Sequence, residues 1–387
     1  MSSIKPIKIT NSSNYGTTIK NGTWKEPSVS NLNLSSSIKN YTDTPFYEQK
    51  ETEVFTLPSV EESFLDLFKG CLFTLNGISQ YSLGLNSPTQ IVKYDDLYFI
   101  VNTFSNMILF SKDMVHWNLI EAPNGESFNL AHSVAFDGKN LVITDTDNKK
   151  MLSYVYDNGN FIYSGSFDDN GLKTRFHYVT YDKETATYYA IGSEFGDVTR
   201  TYEFKIQEGQ FISTSGEVLV GKEINTSNGN HYVNDNQSYV RSFTIENDSI
   251  LMPIHNLDKS SEILIMDKHF NVQKTVSIPD SIGGVTCIKK VNDYYVLTSS
   301  TDREGHLSSN IAIAKTIEDF ANGKFNVVDH SIYKGLENYT GNIEPIPYFI
   351  ENFDGVNWLT INNSKTPICA INIDEYGKVE LLDSHIK

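Results

Sequence analysis

Cysteine is scarce in this chain. Cys71, Cys287 and Cys369 are its only three, odd in number and far apart, with no C-x-x-C pair. A disulfide framework and a cysteine zinc site are therefore not expected. Basic residues are also short, 31 Lys and Arg against 48 Asp and Glu, for a net charge of −17. Nucleic acid and anionic membrane surfaces need clustered cations, so neither is an expected partner. No apolar run approaches the roughly 18 residues of a membrane span. The first residues, Met1-Ser-Ser-Ile-Lys-Pro6, lack the apolar core of a signal peptide. We expect no membrane insertion, and a place in the cytoplasm or on a virion or surface assembly reached by a non-classical route. Helical stretches rich in Ala, Leu and Glu are nearly missing. So are the glycine-rich phosphate cradles and the G-x-S-x-G elbow.

Strand formers dominate what remains, with 22 Tyr, 22 Phe and abundant Val, Ile and Thr. One phrase recurs among them: Val92-Lys-Tyr-Asp95, Val134-Ala-Phe-Asp137 and Val179-Thr-Tyr-Asp182. Each copy joins a short alternating strand, an acidic turn and a second strand. Asp, Asn and Gly tolerate positive φ, so turns such as Asp95-Asp96, Asp137-Gly138 and Asp354-Gly355 suit tight hairpins. Repetition at a spacing of roughly 40 residues is the signature of a propeller. Six units are read, at 85–120, 130–165, 175–213, 238–278, 284–329 and 343–385. The expected fold is all-β, a six-bladed β-propeller of four-stranded antiparallel blades. Five blades remain the alternative if a terminal unit is split. A β-sandwich would explain the alternation but not the repeated phrase. The segment Cys71–Tyr81 is expected to supply a strand that closes the ring.

Residues 1–69 read as an extended polar N-terminal arm with a short helical turn near 60–69, and residues 70–387 as the propeller. Residues 1–60, rich in Ser, Asn, Thr and Lys, are expected to order on a protein assembly partner. A second helical turn is expected near Thr316–Phe320.

Inner strands of a propeller line its channel. The position two residues before the phrase's Val holds Gln90, His132 and His177, and Arg241 matches it in the fourth unit. Thr286 stands near it in the fifth, and Glu344 near it in the sixth. A packed core position would be apolar, so these residues are read as a polar ring at a channel mouth. His255 and Tyr348 join the ligand-binding candidates. If the protein is an enzyme, which the sequence leaves open, His132, His177 and Glu344 are its catalytic candidates. His231 and His306 fall in loops and have no assigned role. No metal-binding spacing is present, and no cofactor is expected. A divalent ion held by the two histidines with Glu344 or Asp145 is the weaker alternative. Tyr178, Tyr232, Tyr239, Tyr348 and Trp358 are read as blade core or as faces for a sugar ring.

Phe110-Ser-Lys-Asp-Met-Val-His-Trp117 resembles the Ser-x-Asp-x-x-x-Trp turn of glycoside-hydrolase propellers of the family-43 group, and more loosely the sialidase Asp-box. The resemblance implies a structural turn, in which Asp bonds turn amides and Trp packs between strands. Ser87 stands where that group has its base, and Gly341-Asn-Ile-Glu344 resembles the phrase that carries its acid. His132 to Tyr154 resembles an NHL blade. Together these imply a carbohydrate-recognition propeller, with similarity to virion and tail adhesins anchored through an arm. A glycoside hydrolase or polysaccharide lyase acting at the channel mouth is the alternative, and a protein–protein scaffold the third.

Overall fold

The computed structural model describes residues 74–75, 78–79, 85, 87–172, 174–193, 199–224, 240–255, 260–301, 307–328, 345–362, 364 and 367–381. Residues 1–69, with the arm and its helical turn, lie outside these, as do Cys71, His231, Tyr232, Tyr239, His306 and Glu344.

Six four-stranded antiparallel sheets follow in chain order, each of consecutive strands. Their innermost strands are β3 (Gln90–Tyr94), β7 (Ser133–Phe136), β11 (Arg175–Asp182), β16 (Thr244–Glu246), β20 (Gly284–Val291) and β24 (Ile346–Phe353). Blade 3 carries an additional strand, β15 (Lys222–Ile224), on its third strand β13 (Thr199–Gln207). The fold is a six-bladed propeller, which resolves the blade count. One expectation fails. The hairpin of β1 (Thr74–Leu75) and β2 (Ile78–Ser79) pairs with itself, and blades 1 and 6 each own four strands already. Among the described residues, blades 6 and 1 meet through contacts of their inner strands, with no strand shared between their sheets.

Each hairpin between first and second strands turns where the sequence is acidic. Tyr94 pairs with Leu97 across Asp95-Asp96, and Phe353 with Val356 across Asp354-Gly355. Asp95, Asn292 and Asp354 all have φ near +50°, a region short polar side chains tolerate. The apolar faces of successive sheets then bury one another. Phe99, Phe110 and Phe136 meet Phe161 between blades 1 and 2. The single α-helix among the described residues, α1 (Ile317–Ala321), begins in a capping box of Thr316 and Asp319 and buries Ile317 and Phe320 against blades 4 and 5.

Ser111-Lys-Asp-Met-Val-His-Trp117 forms the turn expected of it. Asp113 Oδ1 accepts from the amides of Val115 (2.8 Å) and His116 (2.7 Å). Trp117 is buried, and its indole donates to the carbonyl of Met114 (3.1 Å). Burial pushes the Asp113 carboxyl up, but the His116 amide and ring, the Val115 amide and Ser111 outweigh it and hold the group down to about 2.

Hydroxyls lace the inner strands together. Thr89 donates to the carbonyl of His132 (2.7 Å), Ser133 to Val179 (3.0 Å), Ser242 to Thr286 (2.7 Å) and Thr286 to Tyr348 (3.0 Å). Across the axis, Tyr178 of blade 3 touches Phe349 of blade 6 at 5.8 Å and Phe243 of blade 4 at 5.1 Å. These buried rings plug the channel at mid-height and leave two separate mouths. Inner strands start at the entry mouth and turn back at the hairpin mouth.

Candidate functional site

The entry mouth gathers three of the ring residues. His132 and His177 stand edge to face, with ring centroids 5.2 Å apart. Arg241 places Nη1 3.1 Å from His177 Nδ1 and 3.2 Å from its Nε2. Guanidinium nitrogens only donate, so the imidazole it faces is neutral.

A backbone irregularity aims His177. Phe176 pairs with Gly192 and Tyr178 with Ile191, which leaves His177 as an unpaired bulge residue. A side chain at Gly192 would collide, because a Cβ there would lie 2.5 Å from Thr174 Cγ2 and 3.1 Å from the Arg175 carbonyl. Equivalent bulges isolate Thr286 in blade 5 and Tyr348 in blade 6. The bulge is thus a device shared by blades 3, 5 and 6, where it turns one inner-strand residue out of the ladder.

His132 is held differently. Leu130 adopts φ +50°, costly for a leucine, and its amide is fixed by Asn106 Oδ1 at 2.8 Å. Its carbonyl lies 2.6 Å from His132 Nδ1. Thr146 Oγ1 lies 2.9 Å from the same nitrogen but donates its own proton to the carbonyl of Phe176 (2.6 Å). Both partners can only accept from the ring, so Nδ1 carries the proton and Nε2 presents a lone pair. No described residue bonds Nε2.

Burial and neighbouring cations set the charge of both rings. Burial first, then Arg241, pushes His132 down to about 3, against a small opposing pull from the Leu130 carbonyl. His177 lies well below its ordinary value for the same two reasons, with His132 and Arg175 adding to them. Arg175 is tied through Nε to Asp147 Oδ1 (2.8 Å). Asp145 is pushed up to about 6 by burial, although the Asn129 amide and Asn148 bond its two oxygens.

The other candidates are placed elsewhere. Gln90 is 1% exposed, and its Oε1 accepts from the Val134 amide (2.8 Å), which makes it a staple between blades 1 and 2. His255 ends the second strand of blade 4, buried, with Nδ1 3.1 Å from Ser261 Oγ. Tyr348 is half-buried on its bulge. Trp358 stacks on Phe353 at 5.5 Å and belongs to the core. Among the described residues, no three His, Cys, Asp or Glu side chains gather as metal ligands.

Sequence reasoning missed a second polar level. The residue after the phrase's Val reads Lys93, Ala135, Thr180 and Thr244, then Lys289 and Glu351 in blades 5 and 6. At the hairpin mouth Lys289 meets Glu351 at 2.6 Å. The signal was polar side chains recurring at one phase of otherwise apolar strands.

No protein-family model and no curated protein matches the chain. Solved structures do. A catalytically inactive virginiamycin B lyase from Staphylococcus aureus, solved with quinupristin, aligns over 78% of this chain and 85% of its own, at 14% identity and a TM-score of 0.50. The WD40 repeats of RRP9 align over 77% of this chain and 81% of their own, at 11% identity and a TM-score of 0.46. Hydrazine synthase from Kuenenia stuttgartiensis aligns over 76% and 78%, at 13% and 0.45. The chain is a β-propeller. Identity this low establishes the fold alone and selects no activity. No described helix is long and apolar enough to cross a membrane.

Proposed function

We infer that this propeller is a carbohydrate-recognition protein whose entry mouth takes a glycan bearing a carboxylate. The observation that carries this reading is the pairing of Arg241 with two imidazoles held neutral. A guanidinium offers charge-assisted bonds to a carboxylate, and His132 Nε2 offers an acceptor to a sugar hydroxyl. Recognition is better supported than catalysis. A general base works best with a pKa near the operating pH, and His132 is held down to about 3. A glycosidase needs two carboxylates flanking the bond, whereas Asp147 is engaged by Arg175 and Asp145 by Asn129 and Asn148. Attachment to a virion or surface assembly through the polar residues 1–60 belongs to the same proposal.

The test is a glycan array with glucuronate-terminated, sialate-terminated and neutral glycans, followed by titration of the best binder. Arg241→Gln and His177→Ala should each weaken acidic-glycan binding at least about tenfold, with melting temperatures close to the parent's. Equal binding by these variants, or a preference for neutral glycans at this mouth, would reject the reading. Release of unsaturated product from a bound uronate would move the assignment to a lyase.

A further inference from the structure

The hairpin mouth holds a cavity of about 310 Å³, at the small end of the range for small-molecule sites. Its walls come from the inner strands and first turns of blades 3 and 4, with one inner-strand residue each from blades 5 and 6. Tyr178 and Phe243 form its apolar side, and Lys289 and Glu351 stand together on the other. The side chains of that pair are 24% and 14% exposed, with Nζ and Oε1 2.6 Å apart. Burial alone would push the Lys289 ammonium down, but the charge of Glu351 and the bond to it outweigh that and leave Lys289 raised.

The charges around this cavity are already compensated. Lys268 lies 2.8 Å from Asp182 and 3.6 Å from Glu184, and Lys183 pairs with Asp95. A charged ligand would meet balanced charge of both signs. Spare hydrogen-bonding capacity remains. Glu351 Oε1 serves Lys289 and the Asn352 amide, whereas Oε2 has no partner among the described residues. Lys289 keeps donors beyond the one it gives Glu351. A donor and an acceptor side by side match two adjacent hydroxyls, each donating to the carboxylate or accepting from the ammonium. The buried Tyr178 and Phe243 rings pack on each other and back the cavity with an apolar wall.

We propose that this cavity binds a neutral polyol of monosaccharide size, with a vicinal diol held between Lys289 and Glu351. The site is separate from the entry mouth, divided from it by the aromatic plug, and does not depend on the acidic-glycan reading.

The test is calorimetry and ligand-observed NMR on the full chain with D-glucose, D-galactose, D-mannose and myo-inositol, and with D-glucuronate and L-lysine as charged controls. At least one neutral compound should bind. Lys289→Met combined with Glu351→Leu keeps the volume and removes the diol contacts, so binding should fall at least about tenfold. Any acidic glycan held at the entry mouth should be retained by that variant. If the double variant fails to fold, methyl shifts in the parent decide, because bound polyol should move Thr180, Thr244 and Ile245. Binding that survives the double substitution would overturn the proposal. So would no binding by any neutral probe, tighter binding of a charged control, or shifts confined to the entry mouth.

Discussion

At the entry mouth two imidazoles stand neutral beside Arg241 and Arg175. At the hairpin mouth, some strand residues further along, lysines meet carboxylates: Lys93 with Asp354, Lys268 with Asp182, Lys289 with Glu351 and Lys290 with Glu246. The same six inner strands build both ends. The difference lies in how each position is filled. One bulge places His177 and a strained Leu130 places His132 at the entry end, whereas regular strand positions and turns present paired charges at the hairpin end. One end is suited to a ligand that brings negative charge, the other to a ligand without net charge.

The largest effect should come from separating Lys289 and Glu351. Lys289→Ala leaves a largely buried carboxylate without its cation and should lower unfolding free energy by about 3 kcal/mol. Lys289→Met with Glu351→Leu should stay close to the parent protein. Urea titrations of both variants check this, and equal losses would show that the pair itself does not matter.

Acid should strike the two mouths in different pH windows. Both histidines have folded values below the unfolded value of roughly 6.5, so the unfolded chain binds more protons as pH falls and stability drops. From pH 6.5 to 5 the loss should reach about 1.6 kcal/mol for His132, and His177 should add a loss of the same sign. Asp182 is lowered by Lys268, Thr185 and the Glu184 amide against the opposing effect of burial, and Asp354 is lowered by Lys93 and Tyr98. Their contribution persists above the unfolded value of about 3.9 and is lost only below it. Denaturant titrations at several pH values check this. His132→Gln and His177→Gln should flatten the upper window and leave the lower one intact.

The smallest effect should come from Lys183→Ala. Its pair with Asp95 is 61% and 43% exposed, so the loss should stay within about 0.5 kcal/mol and shrink in high salt. A larger loss would mean that the charges of this face act as one network.

The repeated phrase made the blades legible because alternation and acidic turns are local. Ser133–Phe136 and Ile368–Ile373 fall where the pattern put them. The ring was only partly legible. His132, His177 and Arg241 converge, yet Gln90 sits at the same phase and bonds a neighbouring strand instead. A one-residue bulge leaves the composition of a strand unchanged, so nothing local distinguishes His177 from Gln90. Lys289 and Glu351 were not legible because Ala135, Thr180 and Thr244 occupy the same phase in other blades and break its charged pattern. The described residues of Cys71–Tyr81 pair with each other rather than with a blade, because strand-like sequence does not reveal which edge it will pair with.

The most direct test of the entry mouth is nitrogen NMR of the His132 and His177 rings at about pH 5.5, where an ordinary histidine is mostly charged. Both rings should be neutral, with the His132 proton on Nδ1, and a glucuronate-terminated glycan should shift its Nε2. An imidazolium signal at either residue, or a proton on His132 Nε2, would contradict the account.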